Sequence, residues 1–351
     1  MRLLKDILYE GLLAGMDDTL AAGEANAYSV IKEQIDEFMQ ANYRDPKYNI
    51  IKKPNKDGKY VVNARGKLRL RSIATSLVND LFVFGKVKEF NCFDNSNITS
   101  LIGAPEEVET INCSWCCSLK SLEGCPKVIS VDANFSDSGI ESLEGLPKTV
   151  GGDLIVNSTK LKDLIGAPEK VMGRFMVSGC TNLESLEGAP KYVEKMFDCS
   201  NSPKLKSLEG GPDNVLHYYC DMCPALTSFK GAATRIRGSF VGECCYNLTS
   251  LDMGSTVVVR NFSIDWCKSL TSLKGSPKSV GDTYSATRCT GLTSLEGVTQ
   301  KIGQELLVAF NPNLKSIEDC PKRLKTLDIH GGAIWNKEDI KTVCDCPHII
   351  V

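Results

Sequence analysis

Ser185-Leu186-Glu187-Gly188-Ala189-Pro190 decides how this chain folds, because the phrase keeps returning. It comes back as Ser121-Leu122-Glu123-Gly124-Cys125-Pro126, Ser142-Leu143-Glu144-Gly145-Leu146-Pro147, Ser207-Leu208-Glu209-Gly210-Gly211-Pro212 and Ser272-Leu273-Lys274-Gly275-Ser276-Pro277. With its apolar residue as anchor, the series runs Leu101, Leu122, Leu143, Leu164, Leu186, Leu208, Phe229, Leu251, Leu273, Leu295 and Ile317, each 21 or 22 residues after the last. A fixed period of this length indicates a solenoid, in which each repeat is one coil that buries its apolar side by stacking on its neighbours.

The unit is clearest between two anchors: Leu164-x-Gly166-x-Pro168-x-x-Val171-x-x-x-Phe175-x-Val177-x-x-Cys180-x-x-Leu183-x-x-Leu186. Phe175-x-Val177 alternates with period two, which predicts one short strand of a parallel sheet per coil. Gly166 and Pro168 break the chain where it bends, which predicts a mostly irregular return path. About six residues before each anchor stands a small residue able to hydrogen-bond: Asn95, Cys116, Asp137, Ser158, Cys180, Ser202, Cys223, Cys245, Cys267, Cys289 and Asn311. Most of the sixteen cysteines fall at this position or at a second one nine residues before the anchor, as Cys92, Cys113, Cys199 and Cys220 do. Such cysteines are expected to be buried, ladder-forming thiols, and no disulfide framework is expected.

The phrase Phe-x-Val-x-x-Cys-x-x-Leu resembles the core of a leucine-rich repeat, where apolar residues flank an Asn or Cys ladder. The resemblance implies an α/β-type repeat solenoid over residues 81–330, about 11–12 coils, whose ladder residue satisfies backbone groups where adjacent coils turn. The Gly-x-Pro return departs from the family's usual Leu-Pro phrase and leaves the curvature open. More narrowly, Ser-Leu-Glu-Gly-Ala-Pro repeats behind a helical leader resemble uncharacterised repeat proteins of large tailed bacteriophages. That resemblance implies a phage source and no established activity.

Outside the repeats the pattern changes. Residues 1–45 show helical periodicity, with Leu3, Leu4, Ile7 and Leu8 on one face and a second helix predicted to start near Asp17-Asp18. Residues 46–80 alternate with period two and read as a small antiparallel β unit that covers the first coil. Residues 331–351 are expected to form a C-terminal helical cap, with Asn336 as N-cap, Pro347 as the stop and His348 to Val351 as an added final strand. Leu8-Tyr9-Glu10 followed by Gly11 resembles the site cut by the prohead proteases of large tailed phages. It implies an alternative role as a virion protein trimmed after Glu10.

The formal charge of −2 gives no reason to expect nucleic acid or an anionic membrane as partner, and no apolar run approaches the ~18 residues of a bilayer span. A basic cluster between Lys52 and Arg71 reads as a solvated edge. With no apolar signal core at the start, the expected location is the cytoplasm of the host cell, or alternatively the virion. Of three histidines, His217 stands beside Tyr218 and Tyr219 with no assignable nucleophile, and no phosphate loop or dinucleotide fingerprint is present. Cys344-Asp345-Cys346-Pro347-His348, with Cys320, falls short of a structural zinc signature. No enzyme, cofactor or metal is expected.

Strand alternation directs attention to the sheet face instead. The residues between core positions are Asn91, Asn112, Asp132, Ile155, Met176, Asp198, Tyr219, Val241, Ser263, Ser285, Leu307 and Asp328. Asp198, Asp221, Glu243 and Asp265 then form an acidic strip with Tyr219 and Trp266 inside it and no Lys or Arg at those positions. Such a strip suits a basic protein partner, so the expected function is a non-enzymatic interaction scaffold.

Overall fold

A computed structural model describes residues 17–72, 74, 77, 79–332 and 335–351. They form a stack of coils in which the strands from Tyr60–Leu70 onward pair in parallel with their counterparts one period away. One column of core residues, Leu68, Phe90, Ile111, Ala133, Leu154, Phe175, Phe197, Tyr218, Phe240, Phe262, Tyr284, Leu306, Leu327 and Ile349, runs through it in unbroken register. The result is a β-solenoid of about 13 turns.

The coils differ from the sequence reading in carrying two short strands, not one. Lys170–Val171 and Phe175–Met176 are separate strands of the same coil. The two merge only where the link can stay extended, as in Tyr192–Asp198.

The array also reaches further at its N-terminal end. Tyr60–Leu70 is no antiparallel unit: it pairs in parallel with Phe82–Asn91 and is the first coil's own strand. Only Tyr43–Arg44 and Asn49–Ile50 lie antiparallel to it, along its outer edge. Helix α1 (Asp17–Asn42) precedes them, its Ile35 and Met39 fully buried and its Phe38 ring edge-on to Phe82. Helix α2 (Lys337–Val343) has the expected Asn336 N-cap, whose side chain accepts the amide of Glu338. It is not terminal: it lies within the last coil, and His348–Ile350 follows it as a further parallel strand on Thr326–Asp328. Of the described helices, none is long and apolar enough to cross a membrane.

Each residue of the repeated phrase has a physical task. The Ser185 hydroxyl accepts the amide of Glu187, and Ser121, Ser142 and Ser207 do the same in their coils, which fixes the turn. Leu186 is fully buried. Glu209 and Glu296 stand outside and pair with Lys230 and Lys274 of adjacent coils. The glycine is required twice over: Gly166 has φ +88°, and a Cβ there would lie 2.3 Å from the backbone nitrogen of Glu144.

The ladder residue acts across coils. Cys116, Cys223, Cys245, Cys267 and Cys289 each donate the thiol to a carbonyl of the preceding coil at 3.1–3.4 Å. Asn311 reaches the carbonyl of Ala286 in the same way. All sixteen cysteines are free. In two coils the ladder slips by one residue from the sequence reading. Ser138 and Thr159 are buried there, while Asp137 and Ser158 occupy the preceding turn position with φ near +55°. That left-handed turn recurs in nearly every coil, as at Trp115, Asn201, Met222, Cys244, Trp266, Arg288 and Phe310. Its cost is met by a repeated bond, since the amide of each turn residue donates to the next coil, Met222 to Glu243 and Trp266 to Thr287 among them.

Candidate functional site

The sheet face is built by register. Met176 pairs with Asp198, Asp198 with Tyr219, Tyr219 with Val241 and Val241 with Ser263, so these side chains stand on consecutive coils about 4.8 Å apart. Asp132 is not among them. Asn134 pairs with both Asn112 and Ile155 and takes the outward position, because that coil places its strand two residues later. Asp132 lies at the edge, where its carboxylate accepts the amide of Asp153.

Two residues further along each strand, Asp221, Glu243 and Asp265 form a second column on three successive coils. Their carboxylates are tied to the backbone of the stack. Asp221 accepts the amide of Glu243 at 3.1 Å and faces the Ser200 hydroxyl at 3.4 Å. Glu243 accepts the Ser263 hydroxyl at 2.6 Å. Asp265 accepts the Ser285 hydroxyl at 2.6 Å and the Thr287 amide at 2.8 Å. Asp198, in the first column, accepts the amide of Ser200. Burial, reinforced by the charges of Glu243 and Asp198, pushes the Asp221 carboxyl up to about 6. Burial, with the charges of Asp221 and Asp198 nearby, also raises the Tyr219 hydroxyl.

Among the described residues, none of these four carboxylates has a Lys or Arg at ion-pair distance. One other column alternates its signs. The column Lys120, Glu141, Lys162, Glu184 and Lys206 places Lys206 2.8 Å from Glu184. Lys127 meets Glu106 at 2.9 Å and Arg174 meets Asp153 at 2.7 Å. Like charges stacked one coil apart repel, and alternation removes that cost.

Trp266 does not lie inside the strip. It is the left-handed turn residue of its coil, with φ 65°, and stands past the end of the strand Phe262–Ser263. There Arg288 packs 4.8 Å from the ring centroid and Lys268 5.6 Å from it. Period-two alternation ends before this residue, so sequence spacing alone could not place it. The structure thus brings together Asp198, Tyr219, Asp221, Glu243 and Asp265 and sets Trp266 at their border. Leu8, Glu10 and Gly11 lie outside the described residues.

Other surfaces offer less. The basic segment spends part of its charge internally: Lys67 pairs with Glu89 at 2.7 Å, Lys59 donates to the Asn79 carbonyl and Arg71 to that of Tyr43. A groove of about 630 Å³ beside Arg65 is lined by Lys86 and Lys88, which face Glu107 and Glu109. His217 accepts the Ser239 amide, and burial lowers its pKa. Cys320, Cys344 and Cys346 lie in the last coils, and among the described residues no group of His, Cys, Asp and Glu is arranged to hold a metal ion. Comparison of the chain with family models, with curated proteins and with solved structures finds no match.

Proposed function

We propose that this protein is a non-enzymatic interaction scaffold that binds a basic protein segment on the sheet face at Asp198, Tyr219, Asp221, Glu243 and Asp265. The observation that carries the reading is the stack of Asp221, Glu243 and Asp265 on three successive coils, none of them within ion-pair distance of a Lys or Arg among the described residues, where Lys206 with Glu184, Lys230 with Glu209 and Lys274 with Glu296 pair across coils. A partner carrying lysines or arginines supplies the missing counter-charge, and Tyr219 offers an aromatic anchor within the strip. The finer reading, a leucine-rich-repeat-like array of the phage type, rests on the repeat phrase and its Asn and Cys ladder.

The test needs substitutions that keep the backbone bonds, since lysine at Asp221 or Asp265 would remove acceptors as well as charge. Asp198→Asn, Asp221→Asn, Glu243→Gln and Asp265→Asn combined do this. A fluorescent twelve-residue lysine-rich peptide should bind the wild-type chain with an affinity that falls as salt rises, and at least tenfold more weakly to the fourfold variant. Equal affinity for both proteins would remove the strip from consideration.

A further inference from the structure

The sheet face carries shape and polarity as well as charge. Ile155, Met176, Tyr219 and Val241 stand half-buried in the outward column, interrupted only by Asp198. The flank two residues after Tyr219, Val241 and Ser263 holds Asp221, Glu243 and Asp265. The flank two residues before the column runs Asp153, Arg174, Met196, His217 and Ser239, and its one acid, Asp153, is paired with Arg174 at 2.7 Å. Burial, with Arg260 nearby, keeps the His217 imidazole below its ordinary pKa and therefore neutral at pH 7. An apolar column with acid lacking a basic partner on one side only specifies what can cover it.

We propose that this face receives a basic amphipathic helix of about four turns, lying along the stack with its apolar stripe on Met176 to Val241 and its cationic residues on the Asp221 to Asp265 flank. The inference rests on the scaffold reading above and names its partner class. Spacing favours a helix over an extended segment. A helix repeats every 5.4 Å against a coil spacing of about 4.8 Å, so over four coils the two drift by about 2.4 Å, within the reach of a side chain. An extended segment presents the same side every ~6.6 Å and drifts by about 7 Å, more than a whole coil. Lys268 and Arg288, stacked on Trp266, put positive charge at the far end of the strip and limit how far a basic helix extends.

Three labelled fifteen-residue peptides test this against the full chain by fluorescence anisotropy. The first places leucines at helical spacing with lysines on one flank and glutamines elsewhere. The second has the same composition with the leucines scattered, and the third replaces lysine by glutamate. The amphipathic lysine peptide should bind at least tenfold more tightly than the scattered one, and Met176→Ser should erase that advantage while leaving the melting temperature and the scattered peptide's affinity unchanged. Equal binding of the two lysine peptides, or an unchanged advantage in Met176→Ser, overturns the helix while the basic-partner reading stands. Failure of both lysine peptides to bind, or equal binding of the glutamate peptide, overturns both.

Discussion

Glycine in the repeated phrase is a backbone requirement, and the chain holds its own control. Gly166→Ala must place a Cβ at φ +88° against the backbone of Glu144, and should cost at least ~2 kcal/mol. Gly254 has no atom within 4 Å of an added Cβ, so Gly254→Ala should change stability by less than ~0.5 kcal/mol, both measured by urea unfolding. Asp221 makes a different prediction. Its folded pKa, about 6, lies above the value of a free carboxyl, so the protonated form favours the folded chain. That contribution is full at pH below about 4 and is lost as pH rises through about 6, at a cost on the order of 2 kcal/mol. Asp221→Asn should therefore raise stability at pH 7.5 and flatten the pH dependence between 4 and 7. A pH profile that matches the wild type would show that the carboxyl titrates normally.

At the level of the coil, the core compensates locally. Phe229 takes an anchor position held elsewhere by leucine, and its ring fills space left by Gly242: a Cβ on Gly242 would lie 2.5 Å from the ring. Gly242→Ala alone should overpack the coil by about 1–3 kcal/mol. Combined with Phe229→Leu it should cost less than the sum of the two single changes, with a coupling of about 1 kcal/mol in a double-mutant cycle. Additive effects would mean that the two sites do not share this volume. Much of the coil was legible in the sequence, because the anchors and the ladder thiols follow one period. The failures share a cause. Coils are either 21 or 22 residues long, and the difference is absorbed at different points, so spacing misplaced Asp132, Asp137 and Ser158 by one or two positions. The second strand of each coil was hidden because Lys170–Val171 is too short to show alternation.

For the whole molecule, the sequence marked a solenoid and a final strand at His348 but set the N-terminal end of the array too far in. Tyr60–Leu70 and His348–Ile350 lack the repeated phrase yet keep the strand register, and pairing depends on backbone geometry more than on the phrase. The acidic strip was legible, since alternation along a strand fixes which residues share a face. The place of Trp266 was not, because it depends on a left-handed turn. The central claim is that Asp198, Asp221, Glu243 and Asp265 are held together for a partner, at the expense of stability. The most direct measurement is the thermal unfolding of the wild-type chain and the fourfold Asn/Gln variant at pH 7.5, each with and without a lysine-rich peptide. The account predicts that the variant alone melts above the wild type, and that the peptide raises the melting temperature of the wild type only. A variant that melts at or below the wild type, with no peptide shift in either protein, would contradict it.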